Sequence, residues 1–543
     1  MAPGHRSARH VAGARRTGRT ARSAIIILAD GARADSFERM LDAGELPEIA
    51  RHVVERGAYR RATSTFTSTT VPAHLPMLTG QFAGTADVPG YRWFDRRAWR
   101  PGLPLGPWCL RSYNGPEAAL VNRDIAAAAP TLFELTDNAV NVFGAITRGV
   151  TRDGNLAAAR KTRLWLDAHY RRDYVSADEA ARELLVASLD DDAELRFAVM
   201  PGIDWNSHYS SPFACETEEA YRRVDRTVGA VARKLIRLGR YDQTLIAVCS
   251  DHGHCPVDEH FDLPVRLERD HGLRVAYHSL RALRRDAEAI VCVSGNSMAH
   301  VYVRGSDDWG AGPATRGQIS AAAPGMVERL ITEPAVDLVV SRDGGDGLLI
   351  ESSRGSAVLR ERAGSPTRTT PGAGAGAGPG ADAGELVYTV SDAGDPFGYG
   401  PLPGRMRPEE ALALTFDSGH PDGLLQVAQI FRSPRCGDLV VSAAPGYDLR
   451  DRFERPEHLS GHGALHSQHM RVPLAVSAPL ADGPIRTADI FSSVLTWLGR
   501  DATSGTDGVS RLVQSAGTPV VSPVSGPAGR ADFRDNTTPP HSE

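Results

Sequence analysis

Three short apolar runs each end on an aspartate: "AIIILAD" at 24–30, "LRFAVMPGID" at 195–204 and "LIAVCSD" at 245–251. Each run is of strand length and almost unbroken by polar residues. That is the pattern of strands buried on both faces, not of strands with one wet face. Between the runs lie helical patterns. "DSFERMLDAGELPEIARHVVERG" has apolar residues at Phe37, Met40, Leu41, Ile49 and Val53, and "TEEAYRRVDRTVGAVARKLIRLG" is a long amphipathic stretch ending in Gly239. Further runs, "GDLVVSAAPG" (437–446) and "VPLAVSAP" (472–479), extend the series. Alternating strands and helices predict an α/β fold, a mostly parallel sheet sandwiched by helices.

Residues 285–400 break the pattern. "AHVYVRG", "DGLLIESSRGSAVLR" and "ELVYTVSD" are short strand candidates separated by turn signals, which predicts an inserted antiparallel α+β, cap-like region. Inside it, 366–384 is a Gly/Ala/Pro tract that cannot bury apolar surface and reads as a flexible loop. The core is then expected over 24–284 and 401–513. Residues 1–23 form a basic tail with six arginines and no acid, and 514–543 form a Ser/Pro/Gly/Thr-rich tail; both read as disordered.

With 543 residues, 41% hydrophobic and 23% charged, the chain has ample material for a core. The net charge of −5 gives no overall attraction to a nucleic acid polymer or an anionic membrane. No run approaches the roughly 20 apolar residues of a membrane span. All basic residues except Lys161 and Lys234 are arginines, so a single arginine says little about phosphate binding. The six cysteines form no Cys-x-x-Cys pair, Cys249 lies inside an apolar run, and no disulfide framework or thiolate zinc site is indicated. A reducing, cytoplasmic setting is the expectation.

In an open α/β sheet, ligands bind beyond the carboxyl ends of the strands. The first run delivers Asp30 there. The second delivers Asp204, with His208 four residues on. The third delivers Asp251 and His252, and "HLSGHGALHSQHMRVPL" supplies His462 just before the last strand. Three carboxylates and three imidazoles suit two divalent cations of the zinc or manganese type. His462 is preferred over His466 and His469 because its glycine neighbours leave room for a metal. One of those two is expected to orient His462, and His469 also reads as a surface residue. His254 and His260 are left outside the ligand set. The reacting group is sought in "STFTSTTVPAHLPMLTG" (64–80), where a hydroxyl-rich run meets Pro72 at the start of a helix, a place that welcomes an anion. Thr67, Ser68 and Thr69 compete, but the register against Pro72 and Thr79-Gly80 favours Thr70.

The segments "ILADGARAD", "TSTTVPAHLPMLTG", "PGIDWNSH", "VCSDHGH" and "SGHGALHSQHMRVPL" occur in one order from residue 24 to about 480. Together they resemble the alkaline phosphatase superfamily, in its type I phosphodiesterase/nucleotide pyrophosphatase branch. The resemblance implies an alkaline phosphatase-like core. It implies one metal on Asp30, Thr70, Asp251 and His252 and a second on Asp204, His208 and His462, zinc first and manganese as the alternative. It also implies hydrolysis of a small-molecule phosphoric ester, by a phosphodiesterase or a phosphatase, through a phospho-threonine on Thr70. The branch continues its nucleophile with Phe-Pro-Asn-His; here the run is Val71-Pro72-Ala73-His74, so the asparagine that helps hold a phosphoryl oxygen is replaced by Ala73.

Three alternatives share the core: a phosphonate hydrolase, a phosphoglycerate mutase-like phosphotransferase, and a non-catalytic binding protein. The threonine argues against the mutase and the complete ligand set against a dead site. A sulfatase is disfavoured, since no Cys-x-Pro-x-Arg or Ser-x-Pro-x-Arg stretch is present. Trp93, in "PGYRWFDR", and Asn296, in "SGNSMAH", are the candidates for contacting substrate, with core packing the competing role for Trp93.

Overall fold

The first apolar run becomes strand β1 (Ser23–Ala29), every residue of which is buried after the first. In the computed structural model, which describes residues 22–513 apart from 157–162, 164–172, 279–282, 285, 306–307, 363–383, 451–456 and 502–504, β1 lies inside a seven-stranded sheet. It is flanked in parallel by β2 (Leu195–Met200) and β3 (Thr244–Cys249). β4 (Arg471–Val476) follows β3 but runs antiparallel to it. Ala58–Thr63 and Ile485–Arg486 complete that side, and Val140–Val142 closes the other.

The two-residue period of β1 explains its continuous apolar sequence. Ala24, Ile26 and Leu28 face one helical layer, packed with Leu75, Met77 and Leu78 of helix α1 (Thr70–Thr79) and with Phe491. Ile25, Ile27 and Ala29 face the other, packed with Val224, Val228 and Val231 of helix α3 (Cys215–Arg237). Each such valine contributes about 1.5–3 kcal/mol by leaving water. The long helix ends as its sequence predicts, with Gly239 left-handed at φ +65° and its N–H donating to the Ile236 carbonyl. Between β2 and α3, helix α2 (Gly202–Tyr209) carries the second aspartate.

A second, nine-stranded and mainly antiparallel sheet forms from the middle of the chain. It reaches past the expected 285–400 on both sides, from Val275–Tyr277 to Leu439–Ala443. The latter strand, read from sequence as part of the central sheet, instead pairs antiparallel with Val336–Arg342 and Met298–Val303. It misleads because it too is buried on both faces: Leu439, Val441 and Ala443 join one apolar cluster and Val440 another. The described residues up to Leu512 belong to one compact unit. The expected tail at 514–543 falls outside the described residues, as do the expected tail at 1–23 except Arg22 and Ser23 and the Gly/Ala/Pro loop at 366–384 except Gly384. All six cysteines are free, five of them buried. Among the described residues, no helix is long and apolar enough to cross a membrane.

Candidate metal centre

Because β1, β2 and β3 are parallel neighbours, their carboxyl ends finish level: Ala29 pairs with Met200, and Leu28 with Cys249. The next residues therefore bring Asp30, Asp204 and Asp251 to one place. Gly31 makes the approach possible. It is left-handed, at φ +75°, and a Cβ there would lie 2.9 Å from Asp204 Cα and Cβ and from His254 Cδ2. Its N–H donates to Asp251 Oδ1 at 3.2 Å, and the His252 N–H donates to the same oxygen at 3.0 Å. That leaves Asp251 Oδ2, which lies 3.4 Å from His252 Nε2 and 3.2 Å from His74 Nε2. Asp30 Oδ1 lies 3.6 Å from His252 Nε2. Both oxygens are buried without a hydrogen-bond partner. On the other side, α2 places Asp204 and His208 one helical turn apart on one face. Asp204 Oδ1 lies 3.4 Å from His208 Nε2, 3.7 Å from His462 Nε2 and 2.8 Å from His254 Nε2. The two sides meet where the His252 and His462 rings stack at 3.8 Å.

The acceptors around the imidazoles assign their tautomers. His208 Nδ1 lies 2.9 Å from the Ser460 carbonyl, His252 Nδ1 3.2 Å from the Gly253 carbonyl, and His462 Nδ1 3.2 Å from the Ser68 carbonyl. A carbonyl only accepts, so each Nδ1 carries the hydrogen and each Nε2 turns a lone pair inward. Lone pairs and carboxylate oxygens then face one another, an arrangement that repels unless cations lie between them. Outward Nδ1–H bonds of this kind are the usual way a protein orients metal-binding imidazoles. Mixed nitrogen and carboxylate donors fit divalent ions of the zinc or manganese class. Two groups of potential ligands have their atoms within 4.8 Å of one another: Asp30, Asp251 and His252, and Asp204, His252, His254 and His462.

The charges reflect this crowding. Burial, then the Asp251 and Asp204 carboxylates, push Asp30 well above the usual carboxylate range. Burial also raises Asp204, but positive charge on the imidazoles of His208 and His254 would outweigh it and hold Asp204 well below that range. Burial, followed by His252, pushes His462 far down, and burial takes His254 down to about 4.

Thr70 is the first residue of α1, after an extended Thr69. Its Oγ1 lies 3.2 Å from His252 Nε2 and donates to it. The neighbouring hydroxyls turn away: Thr67 donates to the Pro89 carbonyl and Ser68 to that of Ala464. Thr67, Ser68 and Thr69 are buried, whereas Thr70 retains exposure. Of the four candidates, Thr70 therefore faces the cluster and remains reachable.

Asn296 stands at the edge of the cluster. It is left-handed, at φ +70°, and forms a main-chain bridge with His462. Its Nδ2 lies 2.8 Å from Nδ1 of His458, whose ring sits 4.3 Å from that of His208. Trp93 is not brought to the site. It is 1% exposed in the core, its indole N–H donates to the Tyr113 hydroxyl, and the Arg111 and Arg435 guanidiniums lie 5.2 and 4.5 Å from its ring. A side chain covered in this way offers a substrate no surface. His469 is buried, not on the surface, and its Nδ1 accepts the Ala464 N–H at 3.1 Å. With His466 it lies against Cys255. His260 pairs with Asp448 and Glu457 away from the cluster.

The residues that sequence reasoning missed are His74, His254 and His458. Residues two apart in extended chain share a face, so the spacing in "DHGH" did carry a signal that His254 joins His252 at one site. His74 was visible in the motif after Thr70. His458 had no signal.

The model of the type I phosphodiesterase/nucleotide pyrophosphatase family matches residues 24–312. No curated protein matches the sequence. Among solved structures, phosphonoacetate hydrolase from Sinorhizobium meliloti 1021 in complex with phosphonoformate is 18% identical, with a TM-score of 0.51 over 88% of this chain and 95% of that one. The same enzyme with phosphonoacetate gives 17% identity, a TM-score of 0.51 and the same coverages. Murine ectonucleotide pyrophosphatase/phosphodiesterase 5 is 13% identical, with a TM-score of 0.49 over 89% of this chain and 96% of that one. At such identities the likeness to phosphonoacetate hydrolase is one of fold. Matched over more than half of its length, the chain belongs to the type I phosphodiesterase/nucleotide pyrophosphatase family, a group of phosphoryl-group hydrolases with an alkaline phosphatase-like fold.

Proposed function

We propose that this chain hydrolyses small-molecule phosphoric esters in two steps through Thr70. The observation that carries the reading is the Thr70 hydroxyl, reachable and 3.2 Å from His252 Nε2, at the edge of inward lone pairs and unpartnered carboxylate oxygens. Two divalent ions, zinc or alternatively manganese, held by Asp30, Thr70, Asp251 and His252 and by Asp204, His208 and His462, would acidify that hydroxyl and neutralise charge on the phosphoryl oxygens. The Thr70 oxygen lies 3.2 Å from His252 Nε2, close enough for both to serve the same ion. That oxygen loses its proton and bonds phosphorus as the bond to the leaving alcohol breaks. A water then cleaves the threonine phosphate, and Thr70 recovers its proton. Ala73 leaves the phosphoryl oxygen without the asparagine that resembling enzymes offer, so Asn296 is proposed as a polar contact on the Asp204 side.

The test is hydrolysis of p-nitrophenyl phosphate, bis-p-nitrophenyl phosphate and a p-nitrophenyl nucleotide ester, with added zinc or manganese. Diester cleavage that Thr70→Ala abolishes is the expected result. Preferred cleavage of the monoester would make the protein a phosphatase. No cleavage of any ester by protein with bound metal would defeat the ester reading and turn attention to phosphonates, the class named for the Sinorhizobium enzyme of similar fold.

A further inference from the structure

We infer that His254 is a fourth protein ligand on the Asp204 side, giving the ion held by Asp204, His208 and His462 a donor set of one carboxylate and three imidazoles. This rests on the two-metal reading and goes beyond it, since His254 has no place in the ligand set that the family resemblance implies.

The argument is one of hydrogens. The Ser460 hydroxyl has a single hydrogen, which it donates to the Ser207 carbonyl at 2.7 Å. Toward His254 Nδ1, 3.0 Å away, that oxygen can therefore only accept. Nδ1 carries the imidazole hydrogen, and Nε2 presents a lone pair to Asp204 Oδ1 at 2.8 Å. Two electron-rich atoms so close need a positive charge between or beside them. The position of His254 is built, not incidental. Arg33 Nη1 donates to its carbonyl, and the missing Cβ of Gly31 admits its ring. The ring stands nearly perpendicular to that of His208 at 4.7 Å and to that of His462 at 5.1 Å, so three imidazoles surround one carboxylate. Structural zinc prefers four protein donors, whereas catalytic zinc keeps a position open. Of the four donors on the Thr70 side, Thr70 is the reacting group, which leaves that ion three lasting protein donors; the Asp204-side ion should therefore be the tightly held one, and the Thr70-side ion the exchangeable one.

The test loads the full chain with two equivalents of zinc and removes them with graded chelator, counting zinc per chain. One equivalent is expected to leave readily and one to resist. In His254→Gln the resistant equivalent should weaken by about 100-fold or more and the labile one stay unchanged. Ser460→Ala removes the acceptor that orients His254, together with the hydrogen bond to the Ser207 carbonyl, and should cost about 10–100-fold. Cobalt substitution supplies a second readout: visible bands of the resistant ion should shift in His254→Gln. Unchanged release and unchanged bands in that variant would overturn the proposal and put a proton between His254 and Asp204. If His254→Gln does not fold, Ser460→Ala decides, weakened retention supporting the proposal and unchanged retention overturning it. Wild-type protein that never holds two equivalents would sink the two-metal reading itself, an outcome distinct from a failure confined to the variants.

Discussion

Gly31→Ala isolates the close approach on which the centre depends. Two costs add. An alanine at φ +75° occupies the left-handed region, at about 1–2 kcal/mol. Its Cβ would also lie 2.9 Å from Asp204 Cα and Cβ and from His254 Cδ2, where carbon atoms normally rest about 3.5–4.0 Å apart. Neither neighbour can yield easily, since one is helical backbone and the other a buried ring clamped at both ends. Overpacking of this kind adds about 1–3 kcal/mol, for a total near 2–5 kcal/mol. Gly44→Ala is the control: its φ is +73°, but nothing lies within 4 Å, so only the backbone cost remains. Denaturant unfolding of both variants therefore measures the packing contribution by difference. Zinc competition should show weaker binding in Gly31→Ala alone, because relief of the overlap displaces Asp204 or His254. Equal destabilisation in the two variants, with unchanged zinc affinity, would refute the reasoning.

Trp93→Ala should destabilise the fold by about 3–5 kcal/mol, as expected for a buried aromatic, yet leave KM of the remaining folded enzyme unchanged; a raised KM would restore Trp93 to the substrate site. His74→Leu removes the imidazole 3.2 Å from Asp251 Oδ2 and should weaken the labile zinc by about 10–100-fold while sparing the resistant one, as chelator release would show. Burial raises Asp225 from 3.8 to about 6, while its Oδ1 accepts the Ile49 N–H at 2.8 Å. The folded state thus disfavours the charged carboxylate, so this group's cost is small below pH 4, grows as pH rises from 4 to 6, and is fully present at pH 7. Asp225→Asn should therefore stabilise the protein at pH 7 and change little at pH 4; equal effects at both would remove burial as the cause.

The strand ends were legible because chemistry and periodicity agree there. A run buried on both faces that ends on a carboxylate, repeated three times, leaves little else for Asp30, Asp204 and Asp251 to do, and the parallel register then brings them level. His208 followed from helical spacing. What stayed hidden depended on which way a side chain turns. His254 is two residues from His252, a spacing that shares a face only if the chain there is extended, and it is the contact with Asp204 and the bare Gly31 that show it joins the same site. Trp93 reads identically beside arginines whether those arginines greet a substrate or, as here, stack on a core ring. Leu439–Ala443 has the composition of a central parallel strand because the middle of a second sheet is just as dry. Pairing partners so distant in sequence leave no local trace.

The most direct test of the account is an acid quench during steady turnover of an ester substrate, followed by mass spectrometry of the peptide spanning residues 64–80. The account predicts a phosphate on Thr70, lost in Thr70→Ala together with turnover. Full turnover in that variant, or a phosphate trapped on another hydroxyl of the run, would contradict it.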